Sequence, residues 1–234
     1  MKDEEVKMNE ISLGKRMELG IKCENWKEGD IESWDIRQTP GNKKYDIRMQ
    51  QLELMQQYGM KPHHRMLDIG CGYGRGGVLF IKYLDNMSYC AFDKEPWLLK
   101  CFMGGIQRED LSYKNPDIRL INNFEMDEFN TYFDFILAQS VFSHITKDLI
   151  DKCVSKVSAW LKQDGKFLAT FFNGEYSIGN KHINRKEEFG RVNTNIELYK
   201  DICDKHGCDV SFEGDFGHIS GQQLIIITKK TEWV

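Results

Sequence analysis

The chain is 234 residues long, which suits one domain with a sizeable core. With 41% hydrophobic and 29% charged residues it reads as an ordinary globular protein, not a disordered or fibrous one. A formal net charge of −4, with both signs spread along the chain and no basic run, argues against a nucleic-acid partner.

Seven cysteines are scattered without a CxxC pair, which indicates neither a zinc site nor a disulfide framework. Cys71, Cys90 and Cys153 stand among apolar residues and read as small core side chains. Asp68, Asp93 and Asp134 sit on separate stretches, and no pair of them has a spacing that demands a metal. The N-terminal Met1-Lys2-Asp3-Glu4-Glu5 lacks a signal-peptide apolar region, and no apolar run approaches membrane-spanning length. A cytoplasmic protein is expected.

Residues 1–44 are polar, with spaced apolar positions, and end at the turn signal Thr39-Pro40-Gly41-Asn42. They are expected to form a cap, or a lid, ahead of a domain spanning 45–234. A helix is predicted over 45–58, where Ile47, Met49, Leu52, Leu54 and Met55 recur among Gln and Glu. Gly59 is its expected C-cap, with Pro62 beyond.

An apolar strand at 65–70 then runs into Gly70-Cys71-Gly72-Tyr73-Gly74-Arg75-Gly76-Gly77, and a helix is predicted over 75–86. Glycine tolerates positive φ where a strand turns sharply into a helix, and it lets a ligand approach the backbone. The helix start adds unpaired N–H groups and a partial positive charge. Asp68, two residues before the first glycine, suits a ligand that carries an ammonium group; a dinucleotide has no general need of it. A second strand, 88–94, reaches Asp93, which is placed to accept both hydroxyls of a ribose, with Lys94 beside it. Glycine loop, ribose acid and an extra acid for a cation together describe S-adenosylmethionine.

A helix follows from Pro96, a first-turn proline, then strands at 118–122 and 133–139. The helix at 147–162 has one apolar face made by Leu149, Ile150, Cys153, Val154, Val157 and Leu161, and Asp164-Gly165 is expected to end it. A strand at 166–172, a helix at 196–206 and two strands at 209–214 and 223–229 complete the pattern. Alternating strands and helices predict a parallel sheet covered on both faces. The last two strands lack an intervening helix, so the final one is expected to be antiparallel.

The stretch Asp68-Ile69-Gly70-Cys71-Gly72-Tyr73-Gly74, followed by Phe92-Asp93, resembles the first and second motifs of the class I S-adenosylmethionine-dependent methyltransferases. The resemblance runs from about Tyr45 to the C-terminus. It implies an α/β, Rossmann-like, doubly wound sheet of seven strands, the last antiparallel, with S-adenosyl-L-methionine as cofactor. Asp68, Gly70, Cys71, Gly72, Gly74, Asp93 and Lys94 are the implied cofactor residues. At the end of the third strand, where such enzymes hold the adenine, Asn123 and Phe124 stand in place of the common aspartate. Phe124 reads equally well as core.

Fourth-strand residues Phe133–Gln139 continue into Ser140-Val141-Phe142-Ser143-His144, the stretch that faces the transferable methyl in such enzymes, with Gln139 on the cofactor side. Methyl transfer is an in-line displacement, so the protein must align the nucleophile, exclude water and, for a hydroxyl, remove a proton. His144 is the candidate base, its ordinary pKa suited to neutral pH; the alternative is a cap of the following helix. His182 and His218 are the other loop histidines that could reach this mouth. Tyr89-x-x-Phe92-Asp93-x-x-Pro96-Trp97, with Ser140-Val141-Phe142-Ser143-His144, is further similar to methyltransferases that modify sugars and surface glycans. Ala91 departs from that pattern's glycine, and Trp97 stands one position early.

Between Asn173 and Thr194 lies a long polar stretch, either a substrate loop or a solvated one. Its Tyr176, His182 and Arg185 suit a polyhydroxyl or anionic acceptor. The expected activity is methyl transfer to a hydroxyl of a small polar molecule, with a sugar or glycan precursor as the partner implied. N-methylation and a catalytically silent cofactor-binding protein are the alternatives.

Overall fold

The computed structural model describes residues 47–179 and 190–231. The expected cap at 1–44 lies outside them. The elements in order are α1 (Ile47–Gln57), β1 (Met66–Ile69), α2 (Gly77–Tyr83), β2 (Tyr89–Asp93), α3 (Pro96–Arg108), β3 (Asp117–Leu120) and β4 (Phe133–Ala138). They continue with α4 (Lys147–Trp160), β5 (Leu161–Asn173), β6 (Ser177–Ile178), β7 (Val192–Thr194), α5 (Ile196–Lys205), β8 (Cys208–Asp215) and β9 (Gln223–Lys229).

Strands β3, β2, β1, β4 and β5 lie side by side and parallel. β9 returns antiparallel against β5, and β8 pairs antiparallel with β9. The long strands therefore run 3-2-1-4-5-9-8, the doubly wound order with an antiparallel insertion that the sequence predicts. Strand order reverses between β1 and β4, and that reversal opens a crevice at their carboxyl ends.

Along the central strands side chains alternate between two cores. Leu67, Ile69, Cys90, Phe92, Ile136, Ala138, Phe167 and Ile225 face α4 and α5. Met66, Tyr89, Ala91, Phe135, Leu137, Leu168 and Leu224 face α1, α2 and α3. Both faces of a central parallel strand are covered, which is why β1 and β2 are buried along their whole length. All six described cysteines are buried. Among the described residues no helix is long and apolar enough to cross a membrane.

Most boundaries shift by a few residues, and three departures from expectation bear on the fold. The helix predicted over 75–86 spans Gly77–Tyr83 and stops early because Leu84 is already extended, with φ −77° and ψ 157°. Asp164-Gly165 does not end the helix at a loop; β5 starts at Leu161, and the residues before Lys166 form a bulge against β4. A Cβ on Gly165 would lie 2.8 Å from the Leu161 side chain and 3.0 Å from the Phe133 carbonyl oxygen, so any larger residue is crowded in the bulge. The polar stretch after β5 is not a bare loop. β7 extends the end of β5 through Phe172–Asn193 and Asn173–Thr194 pairs, and β6 folds antiparallel onto β7. Arg191 stacks 3.9 Å over Phe172, and the Val192 N–H donates to the Ser143 carbonyl at 2.8 Å, tying this flap to the segment before His144.

Candidate functional site

The register of β1 on β2 puts Asp68 and Tyr89 on the same face of the sheet. The Tyr89 hydroxyl donates to Asp68 Oδ2 at 2.8 Å, and Asp68 is only 7% exposed. Burial pushes the Asp68 carboxyl up to about 7; the nearby Asp93 charge adds to the rise, and the Tyr89 hydrogen bond opposes it. A carboxylate this desolvated is stabilised most by a cation brought to it.

The glycines that follow have left-handed φ values, +67° at Gly70, +57° at Gly72 and +78° at Gly74, but they serve different neighbours. A Cβ on Gly72 would meet nothing within 4 Å, so this residue opens onto free space. One on Gly70 would lie 2.8 Å from Val141 Cγ2, and one on Gly74 would collide with the Phe102 ring. Gly74, expected at the ligand, is buried against α3 and lines no part of the cleft described below. Its absent side chain lets the glycine loop pack directly on the Phe102 ring of α3.

At the end of β2, Asp93 is 8% exposed and accepts two backbone hydrogen bonds, from the Gly72 N–H and the Glu95 N–H, both at 2.9 Å. These bonds hold the glycine loop and the start of α3 around the carboxylate. A carboxylate accepts hydrogen bonds through both oxygens, the chemistry that a ribose hydroxyl needs.

Two adjoining lobes open at the switch point. The first, about 170 Å³, is lined by Asp93, Lys94, Asn122, Asn123 and Phe124, with Leu98, Ile121, Val141 and Leu149 as apolar walls. The second, about 380 Å³, is lined by Asp68, Cys71, Gly72, Arg75, Gln139, His218 and Gln222 among others. Gly70, Ser140 and His144 line both. The first lobe is mostly apolar, with the Asp93 carboxyl among its lining, and the second is more polar. In the second, Gln51 and Gln139 each present a buried Oε1 without a hydrogen-bond partner among the described residues. Two orphaned acceptors beside a buried acid fit an ammonium donor.

Backbone strain collects at the same place. Asn123 (φ +54°), Phe124 (φ +60°) and Ser140 (φ +58°) are all left-handed without being glycine. Ser140 is held so by its N–H, which donates to Thr170 Oγ1 at 2.8 Å. Phe124 is both core and cleft: 9% exposed, packed edge-on to Phe92, and lining the first lobe.

Of the residues singled out in the sequence, Asp68, Gly70, Cys71, Gly72, Asp93, Lys94, Asn123, Phe124, Gln139 and His144 all line the cleft. Tyr176 does not. It is 42% exposed, with the Lys147 ammonium 5.8 Å above its ring. His182 and Arg185 lie outside the described residues. Asp134 stands at the opposite end of β4, bound to the Arg65 N–H and to Lys162, whose charge and hydrogen bond keep its carboxyl below the usual range despite burial. Sequence reasoning missed Arg75, Gln51, Ser140, Ser220 and Gln222. The last two come from the β8–β9 turn, and no local motif marks a turn that reaches the first strand only through the sheet order.

Comparison with known proteins gives a consistent result. Residues 67–167 match the model of a methyltransferase domain family. Magnesium protoporphyrin IX methyltransferase from Synechocystis PCC 6803, solved with bound S-adenosylmethionine, aligns over 87% of this chain and 92% of its own, with TM-score 0.59 and 13% identity. An S-adenosylmethionine-dependent methyltransferase from Clostridium acetobutylicum ATCC 824 aligns over 82% and 94%, with TM-score 0.63 and 13% identity. The CcbJ methyltransferase of Streptomyces caelestis aligns over 80% and 91%, with TM-score 0.63 and 11% identity. At such identities the likeness is one of fold.

Proposed function

We propose, from the premise that this chain carries an S-adenosylmethionine-dependent methyltransferase domain, that it methylates a hydroxyl of a small polar acceptor, with sugars and glycan precursors the first candidates. The observation that carries the reading is His144, which lines both lobes and so stands where an adenosine end and a polar end meet.

In this reading Asp93 holds the ribose hydroxyls, Asn123 and Phe124 face the adenine, and Asp68 with Gln139 receives the ammonium. Gly70 and Gly72 leave the backbone open to the methionine chain. The bound cofactor supplies a methyl on a positively charged sulfur, whose leaving group is a neutral thioether. The acceptor oxygen attacks with a lone pair, and His144 removes its proton as the new bond forms. Residues 45–234 form the transferase unit in this proposal. A polar lining of Gln139, Ser140, Ser220 and Gln222 in the second lobe supports a hydroxylated acceptor over an apolar one.

The test is transfer of labelled methyl from S-adenosylmethionine to a panel of pyranoses and other polyols, set beside their amino analogues. With a hydroxyl acceptor, His144→Ala lowers kcat by about 10² to 10⁴, while affinity for S-adenosylhomocysteine stays within a few-fold. Methylation confined to the amino compounds and indifferent to His144→Ala overturns the reading in favour of N-methylation.

A further inference from the structure

His218 belongs to the β8–β9 turn, is 8% exposed, and lines the same lobe as Asp68, Arg75 and His144. A directed chain of hydrogen bonds ends on it. The Ser140 N–H donates to Thr170 Oγ1 at 2.8 Å, so the Thr170 hydroxyl proton goes onward to Gln222 Oε1 at 2.6 Å. That orients the Gln222 amide, whose Nε2 donates to Ser140 Oγ at 3.0 Å and to Ser220 Oγ at 3.3 Å. Ser220 Oγ lies 2.8 Å from His218 Nδ1, and the Ser220 backbone N–H donates to the same nitrogen at 3.3 Å. A backbone N–H can only donate, so Nδ1 is an acceptor and the ring proton sits on Nε2. Nε2 has no partner among the described residues.

We propose that this chain fixes His218 as a neutral donor whose Nε2–H binds an oxygen of the methyl acceptor adjacent to the one that attacks, so that the two cleft histidines have opposite roles. The inference rests on the hydroxyl reading above and narrows its substrate class to molecules with oxygens on neighbouring atoms, such as a vicinal diol or a hydroxy-carbonyl compound. Burial, with the Arg75 charge adding to it, lowers the His218 pKa to about 4, so the ring stays neutral at working pH. A hydrogen bond donated to the attacking oxygen itself would draw electron density from it and weaken it as a nucleophile. The cofactor's charged ends are better matched elsewhere in the lobe, the ammonium by Asp68 and Gln139, the carboxylate by the Arg75 cation.

The experiment uses the full chain with ¹⁵N-labelled histidine and bound S-adenosylhomocysteine, read by ring ¹H–¹⁵N correlation. The Nε2–H tautomer is expected for His218 from pH 8 down to about pH 5, and Gln222→Leu is expected to mix the two tautomers. In the methyl-transfer assay His218→Phe raises KM for the best panel hydroxyl about tenfold, the loss of one neutral hydrogen bond. His218→Gln, which keeps an N–H donor, recovers part of that loss, and affinity for S-adenosylhomocysteine stays within twofold throughout. An Nδ1–H tautomer in the unmodified protein overturns the proposal. So does a tenfold loss of S-adenosylhomocysteine affinity in His218→Phe, which would assign the donor to the cofactor. A panel without any acceptor sinks the hydroxyl reading and the acceptor role together, whereas an acceptor whose KM ignores His218→Phe sinks the acceptor role alone.

Discussion

Asp68→Asn separates what the site costs the fold from what it does for the ligand. The folded-state pKa of Asp68 is raised from 3.8 to about 7 by burial. Between those values the unfolded chain has released this proton and the folded protein has kept it, so stability falls as pH rises from about 4 to about 7. A rise of that size corresponds to roughly 4 kcal/mol, an upper bound because water reaches an open cleft. The amide removes the charge and keeps an oxygen for the Tyr89 hydroxyl that donates at 2.8 Å. Urea unfolding of the ligand-free proteins is therefore expected to show equal stabilities near pH 4 and an Asp68→Asn variant more stable by about 2–4 kcal/mol at pH 8. Binding reverses the preference: an ammonium beside Asp68 favours the ionised form. Calorimetry of S-adenosylhomocysteine at pH 6 in buffers of different ionisation enthalpy then records release of nearly one proton from the unmodified protein and none from the variant, which binds more weakly. Parallel pH–stability curves for the two proteins would refute the reasoning, since Asp68 would then ionise normally in the fold.

Two glycines of the same loop are expected to fail differently. Gly74→Ala drives a Cβ into the fully buried Phe102 ring at a left-handed φ, and is expected to cost about 3 kcal/mol in urea unfolding. Gly72→Ala meets open space, so it costs only about 1 kcal/mol of stability while lowering S-adenosylhomocysteine affinity at least about tenfold; equal stability losses would contradict these packing environments. Asp93→Ala leaves the Gly72 and Glu95 N–H groups without their acceptor and removes the ribose partner, and calorimetry should record a loss of affinity of about a hundredfold or more. Unchanged affinity there would mean that the ribose sits elsewhere.

The first half of the cleft was legible because its chemistry is local. Asp68, Gly70 and Gly72 occupy one strand and one turn, and Asp93 follows at the end of the next strand, within a single βαβ unit. The β8–β9 hairpin was legible for the same kind of reason, since two strand patterns with no helix between them leave only an antiparallel return. The bulge at Gly165 was not, because Asp164-Gly165 after an apolar helix face is a valid helix stop; it becomes a bulge only where Leu161 and the Phe133 carbonyl press on it. Gly74 was read as ligand-facing on the same footing as its neighbours, and only the arrival of Phe102 from α3 shows that helix packing claims it.

By itself, then, the sequence determined the strand–helix alternation, the sharp turn after β1 and the two acids at strand ends, since period, positive φ and carboxylate placement are properties of short stretches. The tertiary structure alone decided what stands opposite them. Ser140, Thr170, Ser220 and Gln222 lie up to 82 residues apart yet share hydrogen bonds. They meet because β9 inserts beside β5 and carries its turn to the switch point, and that pairing depends on sheet closure and not on any residue near the glycine loop.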